Sequence, residues 1–215
     1  GATAVGTGIN AHPGYQKGMI KEFKRLTMLE LKVAEDLVEI TQSMQDFVIF
    51  SNSLKNLAIN LIKIADDLRL LSSGPNTGLN EIVLPPVQPG SSIMPGKVNP
   101  VMAEMLDMVC FQIIGNDLAL TLAAQSGELD LNVMMPLIAY DVLQSMTLLT
   151  NSTRVFAGRC VKGIIANRKK CEQYAKSSIS LATVLSPGIG YLKTAEVVKE
   201  AIKTGRSIED IVVER

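Results

Sequence analysis

The chain has 215 residues, enough for one or two domains with a substantial core. Its 21 basic residues are matched by 21 acidic ones, which leaves no electrostatic footprint for nucleic acid or an anionic membrane as partner. Apolar residues reach 47% and the mean hydropathy is +0.24, yet aromatics are only 4% and tryptophan is absent, a balance that favours aliphatic helices over an all-β fold.

The chain opens on "GATAVGTGIN", glycine-rich and without an initiator methionine, and reads as the interior of a domain; a fragment is expected. The single histidine, His12 in "NAHPGY", is read as a satisfied loop residue rather than a catalyst. From Phe47 the apolar positions Phe50, Leu54, Leu57, Leu61, Ile64, Leu68 and Leu71 alternate in steps of three and four, a heptad stripe that predicts a long helix. Off-stripe Ile49, Ala58, Ile59, Ile62 and Ala65 widen its apolar face toward that of a bundle helix, and "SSGP" (72–75) ends it.

Residues 75–99 carry five prolines and three glycines and are assigned no regular structure. A connection this long in a compact domain is more often functional than incidental. Asn99 and Pro100 read as the cap and first position of a helix reaching about Gln125, apolar on nearly every side between Met108 and Ile114. A third long helix is predicted over 133–161, with Gly163 closing it. Its neighbourhood, 131–153, is the longest apolar stretch, but Asn132, Asp141 and Gln144 interrupt it before it reaches membrane-spanning character.

Helices apolar all round require burial on all sides, which one short chain cannot provide, so helix bundles shared between identical subunits are expected. After Gly163, "NRKKCEQYAKSS", "GYLKTAEVVKEAIKTG" and "SIEDIVVER" read as short amphipathic helices, the last with a Ser207-x-x-Asp210 capping box. The expected fold is therefore all-α: a central helical bundle over 1–163 and a small helical C-terminal domain over 164–215. Cys110, Cys160 and Cys171 are odd in number and lie in apolar or helical patterns, so buried thiols in a reducing compartment, the cytoplasm, are expected.

Within the proline-rich connection, "GSSIMPGKVNP" (90–100) presents Ser91, Ser92, Lys97 and Asn99 with no acid, histidine or cysteine among them. Hydroxyls, a cation and an amide suit an anionic ligand. A serine takes up a proton only where its alkoxide is held by oriented N–H groups or a cation, and Gly90, Gly96 and Lys97 supply candidates for both. By themselves these residues read either as an anion-binding loop or as a solvated connector.

The run "GSSIMPGKVNPVMAE" resembles the signature loop of the fumarase/aspartase superfamily, G-S-S-x-x-P-x-K-x-N followed by a glutamate, matched from Gly90 to Glu104. The segments "GATAVGTGIN", "IADDLRLLSSGPNTGLNEI", "GNDLALTLAAQSGELDLNVMMP" and "KGIIANRKKCE" are similar to other family segments, so the resemblance covers essentially the whole chain. It implies an all-α homotetramer and elimination from a succinyl skeleton to give fumarate, with no cofactor and no metal. It further implies Ser91 as the base that removes the Cβ proton, Ser92 as a substrate contact, and Lys97 and Asn99 as holders of a substrate carboxylate. Glu104 would support a catalytic histidine of another subunit.

"GKVNP", "DLRLLSSGP" with "GLNEI", "LLTN" and "IVVER" look most like the aspartate ammonia-lyase branch, with class II fumarase as the alternative. A non-catalytic oligomeric helical protein that uses the loop as a cap is the second alternative. The family's other two active-site segments lie upstream of the signature loop, so the 215-residue chain alone is expected to be inactive. Expected partners are a small dicarboxylate and further copies of the chain, with neither nucleic acid nor membrane.

Overall fold

The structure, a computed structural model, describes residues 3–90, 93, 94, 96 and 98–214. The chain forms two compact units, one of Gly1–Asp66 with Val101–Gly158, the other of Asp67–Pro100 with Arg159–Arg215.

The first unit is helical: α1 (Tyr15–Thr27), the single turn α2 (Glu39–Gln42), α3 (Gln45–Leu71), α4 (Val101–Gln125) and α5 (Met135–Arg159). The heptad stripe does form α3, but in the single chain its fully buried residues are small, Ser51, Ala58 and Ala65, while Phe47, Phe50, Leu57 and Ile64 stay exposed. α4 starts at Val101, one residue after the predicted Pro100, and Met108, Phe111 and Leu118 on it are each more than half exposed. It is the one described helix long and apolar enough, by length and composition, to cross a bilayer. Its inner face is nevertheless partly polar, burying Asp107, Asn116 and Asp117 beside Leu106, Cys110, Ile113 and Leu120.

Those polar groups join the helices. Lys55 Nζ on α3 lies 2.6 Å from Asp117 Oδ2, and the Ser51 hydroxyl donates to Asp117 Oδ1 at 2.7 Å. Asn116 Nδ2 donates to Gln144 Oε1 and Ser145 Oγ on α5. Below this polar layer, Met44, Leu120, Ala123, Ile138 and Val142 form an apolar cluster. Asn132, fully buried, donates through Nδ2 to the carbonyls of Ala123 and Ala124 and accepts the Met134 N–H on Oδ1. It thereby satisfies acceptors that the end of α4 leaves open and a donor at the start of α5. His12 is a satisfied loop residue, its Nδ1 accepting the Gly14 N–H at 3.0 Å.

The second unit contains what the sequence did not announce, a two-residue antiparallel ribbon. β1 (Ile82–Val83) lies inside the proline-rich connection and pairs with β2 (Ile165–Ala166), with Ile82 opposite Ala166 and Val83 opposite Ile165. Gly163 is correspondingly part of a 3-10 turn, Val161–Gly163, that follows α5 and leads into β2, rather than the cap of a longer helix. Then come α6 (Arg168–Ser177), α7 (Ala182–Ile189), α8 (Tyr191–Thr204) and α9 (Ile208–Val213). Ala182, Val197, Ala201, Ile208 and Ile211 form the core of the last three. The predicted cap of α9 is made, Ser207 Oγ accepting the Asp210 N–H at 3.1 Å. All three cysteines are free, Cys110 and Cys160 buried and Cys171 partly so. Among the described residues, the regular structure apart from this ribbon and one isolated bridge, Glu128 to Leu131, is helical, an all-α fold.

Candidate functional site

The candidate loop belongs to the second unit, and its course is set by the segment just before it. After α3 the chain turns back on itself: the Asn80 N–H donates to Ser73 O at 2.8 Å and the Glu81 N–H to Leu71 O at 2.9 Å. β1 follows, then Leu84, Pro85, Pro86 and Pro89. Because proline fixes φ near −65°, three of the six positions from 85 to 90 have almost no torsional freedom. The loop thus starts from a stiff stem.

Ser91, Ser92 and Lys97, named above as base, substrate contact and counter-charge, lie outside the described residues. Between and beside them Ile93 and Met94 are exposed, and Gly96 has φ +83°, a left-handed conformation that a side-chain-bearing residue adopts only under strain. Asn99 is partly exposed and precedes α4 by two positions. Glu104, partly exposed, lies in the first turn of α4, in the other unit, where a carboxylate is also favoured by the helix dipole.

Alongside the loop is a cavity of about 530 Å³, whose lining includes Ser72, Asn80, Leu84, Met94, Gly96 and Val98. Its walls are thus the stem on one side and the loop's own described residues on the other. Among the described residues no group of three or more histidine, cysteine, aspartate or glutamate side chains is placed to hold a metal ion.

The sequence reading passed over the residues that fix the stem. The Asn167 side chain donates to Asn80 O at 2.9 Å and its backbone N–H to Glu81 O at 2.8 Å; Tyr174 Oη donates to Gly78 O at 3.4 Å and Cys171 Sγ–H to Glu81 O at 3.5 Å. The local signal for Asn167 was only half visible. An asparagine before "RKKCEQ" reads as a helix cap, and its Oδ1 does accept the Lys170 N–H, but nothing local shows that its Nδ2 reaches a carbonyl 87 positions away.

Comparison with known proteins bears on these residues as a set. The sequence profile of the family described as "Lyase" matches residues 1–115, and that described as "Fumarase C C-terminus" matches 181–215. The aspartate ammonia-lyase of Pseudomonas aeruginosa is 52% identical over 214 residues, and that of Helicobacter pylori 50% over 215. Each alignment takes in 100% of this chain but only 45% and 46% of those relatives, so the chain spans about half their length. Among solved structures, a fumarate lyase:delta crystallin from Brucella melitensis superimposes with a TM-score of 0.94 at 50% identity, covering 100% of this chain and 46% of that one. A class II fumarase from Schistosoma mansoni superimposes with a TM-score of 0.89 at 40% identity, covering 100% and 48%.

Proposed function

The chain belongs to the fumarase/aspartase family of lyases, and from that membership we propose that it is the serine-loop half of an aspartate ammonia-lyase, a carbon–nitrogen lyase that releases fumarate and ammonia from L-aspartate. The observation that carries this reading is the identity of about one residue in two to aspartate ammonia-lyases along the entire chain, which includes the complete signature from Gly90 to Glu104. Class II fumarase remains the second reading, since such an enzyme shares the fold at 40% identity.

In the proposed reaction the Ser91 alkoxide takes the Cβ proton of aspartate. The electron pair left on carbon moves into the adjacent carboxylate, giving an aci-carboxylate dianion. That pair then returns to form the C=C bond while the Cα–N bond breaks and ammonia leaves. The barrier lies where the second negative charge develops, so catalysis requires donors and a cation fixed there in advance. Lys97 supplies the cation, Asn99 and Ser92 supply hydrogen bonds, and Glu104 orients a histidine contributed by another subunit. No cofactor or metal is required by this chemistry.

The working form is a homotetramer. The large apolar side chains that α3 and α4 leave exposed, Phe47, Phe50, Phe111 and Leu118 among them, support burial against further copies. We assign residues 1–163 to a central bundle domain and 164–215 to a smaller C-terminal domain, a division that the two profile matches fall on either side of, although residues 67–100 cluster with 159–215 in the structure. Location in the cytoplasm is supported by three free cysteines.

The test uses the complete parent protein, followed by the ultraviolet absorbance of fumarate formed from L-aspartate and from L-malate, with Ser91→Ala as control. Turnover of aspartate that disappears in Ser91→Ala supports the reading. Turnover of malate alone moves the protein to the fumarases, and full activity of Ser91→Ala removes the serine from the mechanism.

A further inference from the structure

We propose that Asn167 is a positioning residue for the serine loop, acting through the stem that carries it. This role rests on the lyase reading above. Four kinds of contact join residues 163–174 to residues 78–85 within the second unit. They are the two Asn167 bonds to Asn80 and Glu81, the Tyr174 and Cys171 bonds to Gly78 and Glu81, the β1–β2 pairing, and the packing of Gly163 on Pro85. The last leaves no slack: a Cβ at Gly163 would lie 2.9 Å from Pro85 Cγ and 3.1 Å from its Cβ, and a proline ring has little room to yield.

Residues 80 and 81 are therefore held from both sides. Their N–H groups bond back to Ser73 and Leu71 at the end of α3, and their carbonyls accept from Asn167. Only five residues separate Pro85 from Ser91, and Pro85, Pro86 and Pro89 stiffen that span, so a displacement of the stem is passed on toward the loop. A base misplaced by about 1 Å loses on the order of 100-fold in rate. The course of the stem from which the loop departs is thus set partly by an amide on the far side of the ribbon, a residue that need not touch substrate.

Asn167→Asp isolates the contact. An aspartate still caps α6 by accepting the Lys170 N–H, but it donates nothing to Asn80 O and sets a carboxylate against that carbonyl. Gly163→Ala disturbs the same stem from its other end. Ser207→Ala, which removes the α9 cap in the same unit away from the ribbon, is the control for loss of stability alone. In the assembled parent protein, kcat, KM, the kinetic isotope effect with Cβ-deuterated L-aspartate, the thermal midpoint and the oligomeric state are compared. Asn167→Asp is expected to lower kcat ten-fold or more, to leave KM within about two-fold and to raise the isotope effect as proton removal becomes limiting, while Ser207→Ala keeps wild-type kcat. Should Asn167→Asp not assemble, Gly163→Ala is read by the same criteria. Wild-type kcat and isotope effect in both stem variants overturn the positioning role and leave the lyase reading intact; a wild-type protein without turnover on aspartate or malate removes both.

Discussion

Lys55 and Asp117 form an ion pair whose two ends are unequally buried: the lysine side chain is 31% exposed and the aspartate 7%. That asymmetry predicts which partner is harder to lose. In Asp117→Asn the amide still accepts from Ser51, and Lys55 swings its ammonium out to water, so the loss approaches that of an exposed pair, about 1 kcal/mol. In Lys55→Met the methionine fills the volume of the lysine stem, but the carboxylate stays buried with one hydroxyl donor in place of a cation. Removing one partner from a buried pair costs about 3 to 5 kcal/mol, and the retained Ser51 bond puts this case near the lower end, at about 3 kcal/mol. The difference of about 2 kcal/mol is roughly a 30-fold difference in the folding equilibrium. Urea midpoints of the assembled parent protein, taken at one protomer concentration, measure it. The double change Lys55→Met with Asp117→Leu should recover part of the Lys55→Met loss. A cost for Asp117→Asn equal to or above that of Lys55→Met would refute the reasoning.

Burial first, and then the charge of Asp107, pushes the Cys110 thiol up to about 11 from 9.0. Because the folded-state value is the higher, stability is complete below pH 9 and falls as pH rises toward 11, and Cys110→Ser or Cys110→Ala should lose that alkaline limb of a pH-dependent denaturation profile. At pH 8 about one Cys110 in a thousand is thiolate, so alkylation by iodoacetamide should proceed only with unfolding, as mass spectrometry would show. Asp141 is buried with Oδ2 unbonded and its carboxyl is pushed up by that burial. Asp141→Asn should accordingly raise the denaturation midpoint at neutral pH and leave it unchanged near pH 3, where both side chains are neutral; a lower midpoint at pH 7 would show that the carboxylate has a partner in the assembled protein. Ile113→Ala removes a side chain that is 1% exposed and should cost about 2 to 4 kcal/mol in the same denaturation assay.

The long helices were legible because their signal is local. The stripe from Phe47 to Leu71 has helical spacing that no other conformation explains, and the breaker "SSGP" marks its end to within one residue. The cap of α9 was legible for the same reason, as Ser207 and Asp210 lie within a single turn. Which residues of the apolar face are buried was not, since the heptad pattern predicts a face and not its covering: off-stripe Ala58 and Ala65 are enclosed by this chain alone while Phe50 and Leu57 of the stripe are not. The ribbon was hidden by composition. Two-residue strands are too short for alternation to register, and β1 stands in a proline-rich stretch whose pairing partner comes more than eighty residues later. For the candidate site, Ser91, Lys97 and Asn99 could be named from a contiguous motif, whereas Asn167 and Tyr174 bond to backbone carbonyls of the segment before that motif, and a carbonyl is the same at every position.

The serine loop and its stem are made early, and what fixes the stem is made late. The contacts from Asn167, Cys171 and Tyr174 span 87, 90 and 96 residues. At about 5 to 20 residues per second of synthesis, the stem waits several seconds or more for its anchor. Closing so distant a contact costs entropy before any bond repays it, so the ribbon belongs to the slow, non-local part of folding, unlike the helices on either side. During that interval the chain already has the stem but not the bonds that hold it. The order of synthesis thus keeps the loop from being set in position before residues 163–174 exist to hold it.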